Sequence, residues 1–234
     1  MIKSDHNRLL KKIAKERLKP FGIIQYGQSR TFLFDKGWFT VIIEFQPSSW
    51  SKGTYLNIGV DLNFYPRDYF AFSYGYRETG FNEFKDEEQF SELINKLCNL
   101  VIVRVRELDR EFIDLWVAKK TLNKDLDAWR KYEIGILKGL INDYNGAQKL
   151  LNAVINEKCE HNYEFKRQQI ASEILEWLDN EQAFENKVKE LIEKTRQLKK
   201  LPIVDLNNLT ERKITANNTV PQAGRNWWKY LFRN

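Results

Sequence analysis

The sequence predicts an α+β protein: an N-terminal helix, a four-stranded antiparallel sheet, a helical C-terminal half and a basic, aromatic tail. Three observations carry this expectation. Apolar residues alternate with polar ones through 30–74, they recur at helical spacing through 86–200, and no period survives beyond Pro202. The organisation that follows is one α+β unit over 1–201, with the sheet within 1–85 and helices over 86–201, and then a tail over 202–234.

The first segment has Ser4 or Asp5 as an N-cap and then Leu9, Leu10, Ile13 and Leu18 on one face, with Lys and Arg on the other. Pro20 and Gly22 stop it. Arg30 to Phe34, the turn Asp35-Lys36-Gly37, and Trp38 to Gln46 read as a hairpin. Tyr55 to Tyr65 is the clearest strand, with Leu56, Ile58, Val60, Leu62 and Phe64 on one face. Tyr69 to Tyr74 is expected to be the fourth strand, ending at Gly75. Because successive side chains alternate, Trp38, Thr40, Ile42, Glu44 and Gln46 share one side of their strand. Tyr55, Asn57, Gly59, Asp61 and Asn63 form the polar side of the next. On this register Val60→Asp is expected to be strongly destabilising and Asp61→Val far less so.

From Asp86 onward the stripe Phe90, Leu93, Ile94, Leu97 and Val101 starts a helix, although the β-branched run through Val101 to Val105 leaves a strand or a helix break open there. Further helices are expected at Leu108 to Lys120, Leu126 to Tyr144, Ala147 to Asn156, Tyr163 to Leu178 and Glu181 to Leu201. Asn145-Gly146 reads as the C-cap between two of them.

At 234 residues and 42% hydrophobic, the chain is large enough to bury a core without disulfide staples. Its two cysteines, Cys98 and Cys159, are too few for a disulfide framework. The longest apolar runs, such as Leu100 to Val103, are too short to cross a bilayer, and residues 1–5 carry no apolar signal region, so a cytoplasmic protein with no transmembrane segment is expected. The formal charge of +6 is unevenly placed. Residues 1–20 and 198–234 each hold seven Lys/Arg against two Asp/Glu, whereas 21–197 hold 24 against 28. An acidic body with basic ends is a poor footprint for duplex binding, which relies on positive charge over the folded surface.

The stretch from Leu9 to Tyr76 resembles a bacterial family catalogued as domain of unknown function 4304. The likeness is carried by Leu18-Lys19-Pro20-Phe21-Gly22, Val41-Ile42-Ile43-Glu44-Phe45-Gln46, Ser49-Trp50-Ser51 with Gly53, and Tyr55-Leu56-Asn57-Ile58-Gly59-Val60. The hairpin turn Tyr144-Asn145-Gly146-Ala147 is similar to that family's later half. The resemblance implies a helix leading into an antiparallel sheet and carries no activity with it.

Glu44 and Gln46 are the most suggestive polar pair. A helix, a hairpin with Asp35 at its turn, and Glu44-x-Gln46 on the following strand resemble in outline a restriction-nuclease-like core, in which carboxylates hold Mg²⁺. The lysine that would orient the attacking water is replaced by Gln46, and a tight turn needs Asp35-Lys36-Gly37 on its own account. Cys159-Glu160-His161 does not supply a zinc site, since the whole chain has two Cys and two His. No phosphate loop, nucleophile elbow or dinucleotide fingerprint is present. The terminal run Arg225-Asn226-Trp227-Trp228-Lys229-Tyr230-Leu231-Phe232 is different, because so many aromatics would be an aggregation hazard in water.

The expected function is therefore a non-catalytic binding or adaptor protein that contacts a protein partner or a second copy through Arg225, Trp227, Trp228, Lys229, Tyr230 and Phe232, with no cofactor. The alternative is a Mg²⁺-dependent nuclease or nucleic-acid-binding protein using Glu44, Gln46 and Asp61.

Overall fold

Helix α1 (Asp5–Leu18) buries Leu10, Ala14 and Leu18 and ends where Pro20 and the left-handed Gly22 redirect the chain. The computed structural model describes residues 5–123, 127–206 and 209. An antiparallel sheet follows, built from β1 (Ile24–Gln25), β2 (Thr31–Asp35), β3 (Phe39–Gln46), β4 (Gly53–Leu62), β5 (Tyr74–Arg77) and β6 (Asn82–Glu83). The strand order is β1-β2-β3-β4-β5, with β6 paired to one end of β4. Six strands therefore replace the expected four. The two additions, β1 and β6, are two residues each, too short for any alternation to register. The fourth long strand is also displaced: 69–73 is a loop and pairing begins at Tyr74.

The register places Thr40 opposite Asp61, Ile42 opposite Gly59, Glu44 opposite Asn57 and Gln46 opposite Tyr55. One face of the sheet is thus the expected apolar row, in which Leu56, Ile58, Val60, Leu62 and Phe64 are all fully buried. They share a core with Val41, Ile43 and Phe45 and with the helices that cover them. Trp38 does not lie with Glu44 as alternation predicts. It precedes β3, and its ring packs on Phe39, Phe64 and Phe112 in the core.

Helix α2 (Glu87–Glu111) starts at the Asp86 cap, whose side chain accepts from the Gln89 N–H at 2.8 Å. It runs unbroken through Val101–Val105, because Val101, Ile102 and Val105 fall on its buried stripe and packing overrides the weak helix preference of β-branched residues. The helical half continues as α3 (Leu115–Leu122), α4 (Ala128–Leu140), α5 (Tyr144–Ile155), α6 (Asn162–Leu175) and α7 (Glu181–Leu198). Asn145-Gly146 is not a C-cap. It lies in the first turn of α5, where Asp143 accepts from the Gly146 N–H at 3.0 Å, and the left-handed residue is Asn142.

Tyrosine hydroxyls tie the helical half back to the strand region. The Tyr132 hydroxyl donates to the Phe64 carbonyl at 2.9 Å, and the Tyr65 hydroxyl donates to the Tyr163 carbonyl at 3.2 Å. Packing also continues past Pro202, since Val204 lies against the core and Leu206 and Leu209 are buried. Among the described residues no helix is long and apolar enough to cross a membrane.

Candidate functional site

The polar face of β3 and β4 gathers the carboxylate and amide side chains singled out in the sequence, and its two ends differ. At one end Glu44, Asn57 and Arg77 stand side by side across three strands. The Asn57 amide donates to Glu44 at 2.8 Å and to the Gln46 carbonyl oxygen at 3.0 Å. Arg77 donates to that same Gln46 oxygen at 2.9 Å and stacks 4.2 Å from the Tyr55 ring centre. Beside this row is a surface cavity of about 360 Å³ lined by Thr31, Ile42, Glu44, Phe70, Ala71 and Phe72.

The other end is closed. Asp61 is fully buried, and its carboxylate receives Arg67 at 2.6 Å, the Lys199 ammonium at 2.7 Å and the Ala71 N–H at 3.1 Å. Lys199, also fully buried, donates in addition to Asn63 at 3.0 Å. One turn earlier in α7, Arg196 grips Asp35 with two bonds of 2.7 Å and reaches the Gly37 and Pro202 carbonyls. Burial pulls the Lys199 ammonium below the ordinary lysine value, and Asp61 opposes that pull.

The loop after β4 lies over this face. A methyl group at Gly59 would meet the Phe72 ring at 2.7 Å, which leaves glycine as the residue that lets the loop approach. Ser73 sits at the end of the same loop, accepting from the Leu62 N–H at 3.1 Å and donating to Glu133 of α4. Burial pushes the Glu133 carboxyl up to about 7, with Ser73, Arg130 and Arg67 acting against the rise.

Of the three carboxylate and amide residues singled out in the sequence, Glu44 and Gln46 fall together with Asn57, and Asp61 lies four register positions from Asn57, opposite Thr40. A divalent cation fits this set poorly. Arg77 already places a positive charge on Gln46, and Asp61 is filled by two cations of the chain itself. Among the described residues, no group of three or more His, Cys, Asp or Glu is placed to hold a metal. Asp61→Val is accordingly not the mild change its place on a polar face suggests, because the face is buried at that point.

Arg225, Trp227, Trp228, Lys229, Tyr230 and Phe232 lie outside the described residues. His161 stands at the start of α6, where Glu164 accepts from the Glu160 and His161 N–H groups at 2.7 and 2.9 Å. Cys98 is a buried thiol that burial pushes up to about 12.

Arg67, Ser73, Glu133, Arg196 and Lys199 were not visible as a group in the sequence. One signal was there for two of them: Val188, Leu191, Ile192 and Thr195 set the buried stripe of α7, and the same spacing continues onto Arg196 and Lys199. A cation on an apolar stripe announces a buried partner. No protein-family model, curated protein or solved structure matches this chain.

Proposed function

We propose that the chain is a non-catalytic binding protein that works through protein–protein contacts, with the 225–233 segment as its contact element. The observation that carries this reading is the enclosure of Asp61. One of the two carboxylates that the nuclease alternative needs on the sheet, Asp61, is fully buried and bonded to two cations and a backbone N–H. That makes it a joint between the sheet, the covering loop and α7. A nuclease working through Glu44, Gln46 and Asp61 would have to expel Lys199 and Arg67 before Mg²⁺ could approach, at a cost of several kcal/mol for uncompensated buried charge. The resemblance to the family of unknown function is retained in this proposal as a statement about architecture alone.

The test uses the full chain. Trp227→Ser, Trp228→Ser and Phe232→Ser together are expected to abolish self-association or partner capture, read by light scattering and pull-down at low and high salt. Their circular dichroism is expected to match wild type. In parallel, labelled DNA and RNA incubated with Mg²⁺ or Mn²⁺ are expected to stay intact. Cleavage that disappears in Glu44→Ala would replace this function with the nuclease.

A further inference from the structure

Where α3 meets α4 there is a cavity of about 490 Å³ lined by Trp116, Val117, Lys119, Lys120, Asn123 and Lys138. Among the described residues, three ammonium groups and no carboxylate line it. Lys138 is ion-paired with Asp143, the residue that caps α5. The Lys119 ammonium sits 4.1 Å from the centre of the Trp116 ring, held by the ring face. Lys120 is exposed. Burial and the nearby Lys138 both pull Lys119 below the ordinary lysine value, with Asp143 opposing them. Two charges thus stand beyond the one that Asp143 neutralises, beside a Trp116 that is 48% exposed. An unrelieved repulsion and a half-solvated indole in the same cavity are both removed by one kind of occupant, an anion that carries an apolar group.

We infer that this cavity receives an acidic segment of a partner protein, with carboxylates bridging Lys119, Lys120 and Lys138 and an apolar side chain against Trp116 and Val117. The inference rests on reading the chain as a protein-binding protein and names the chemistry of the partner. Charge complementarity selects the occupant. Lysines are point charges on flexible stems and lack the planar fork that favours phosphate, which weighs against a dedicated phosphate site. The segment 21–197, to which the cavity belongs, carries 24 Lys/Arg against 28 Asp/Glu. Such a surface repels a long polyanion, whereas a short acidic segment feels mainly the charges within about 10 Å.

The experiment is fluorescence anisotropy of a short fluorescein-labelled peptide of Glu and Asp around one Phe, titrated with the full chain. Binding is expected at low salt and is expected to weaken as salt rises. Lys119→Glu and Lys120→Glu should each weaken it by about tenfold or more, because each reverses a charge facing the peptide. Trp116→Ala should weaken it with little change in the salt dependence. Lys158→Glu, at a highly exposed lysine paired with Glu160 at 3.4 Å, should leave it unchanged. Lys120 is exposed, so its variant keeps the fold and the test stands even if Trp116→Ala does not fold.

The inference is overturned if the peptide does not bind, if Lys158→Glu weakens binding as much as Lys120→Glu, or if the same peptide without its Phe binds equally well. It is also overturned if inorganic phosphate or an oligo-dT strand displaces the peptide at lower concentration than an unlabelled copy does. Failure here, with the serine variants of the terminal segment still losing their partner, would remove this cavity and leave the proposed function standing.

Discussion

The two faces of β3 and β4 are both buried over much of their length, yet they are built on different physics. On one face Val41, Ile43, Phe45, Leu56, Ile58 and Val60 pack into a core with the helices, where each dispersion contact is small and the sum is large. On the other, Asp61 is held by Lys199, a residue 138 positions away in sequence, and by Arg67 from the covering loop. The apolar face gains stability in proportion to the area it hides, at roughly 25 cal/mol per Å². The polar face gains little net stability from being charged, because desolvation offsets the attraction, but it loses heavily when one partner is removed. The first face is forgiving and the second is brittle.

The largest effect tests the forgiving face with the one change it cannot accept. Val60→Asp puts an unpaired carboxylate at a fully buried position among Ile58, Leu62 and their neighbours. It is expected to cost at least about 4 kcal/mol in urea unfolding. Asp61→Val, one position along, is expected to cost about 3–5 kcal/mol, because Lys199 and Arg67 then remain buried without their anion. A loss of only a few tenths of a kcal/mol at Asp61 would break the comparison, since it would mean that water already reaches these cations.

Glu133 sharpens the comparison by pH. Its folded-state value, about 7, lies above its ordinary 4.5, so between those values the folded chain binds more protons than the unfolded chain. Stability contributed by the protonated carboxyl is present below about pH 4.5 and is lost as pH rises through about 7. Glu133→Gln keeps an oxygen to accept from Ser73 and cannot ionise. It is expected to melt higher than wild type at pH 8, by up to about 3 kcal/mol of stability, and to match wild type near pH 4. Equal melting temperatures at both pH values would place Glu133 in contact with water.

Gly59→Ala follows in size. The added methyl meets the Phe72 ring and the Tyr74 carbonyl at 2.7 Å, so the loop must lift and a cost of about 2 kcal/mol is expected. The smallest effect belongs to the open end of the polar face. Glu44→Ala removes one hydrogen bond from a half-buried residue and is expected to cost under about 1 kcal/mol.

What could be read from the sequence divides along the same line. The row from Leu56 to Phe64 was legible because burial on one face leaves a two-residue period, and α2 and α7 were legible because burial on one stripe leaves a helical one. The enclosure of Asp61 is not legible, because its alternation is polar while its surroundings are closed, and alternation reports which face a residue is on but not what covers that face. The covering is supplied by 66–73 and by α7, and no local pattern links Asp61 to Lys199 or Glu133 to Ser73. Trp38 departs from the alternation for a simpler reason: alternation stops where the strand stops, and β3 begins at Phe39.

Asp61 and Lys199 act as one joint between the sheet and α7, and a double-mutant cycle tests this most directly. Asp61→Leu, Lys199→Met and the double variant are compared with wild type by urea unfolding at neutral pH. The joint predicts that each single change costs several kcal/mol and that the double variant costs clearly less than their sum, with a coupling energy above about 2 kcal/mol. Costs that add to within about 0.5 kcal/mol would contradict it, because two residues that do not depend on each other are not a joint.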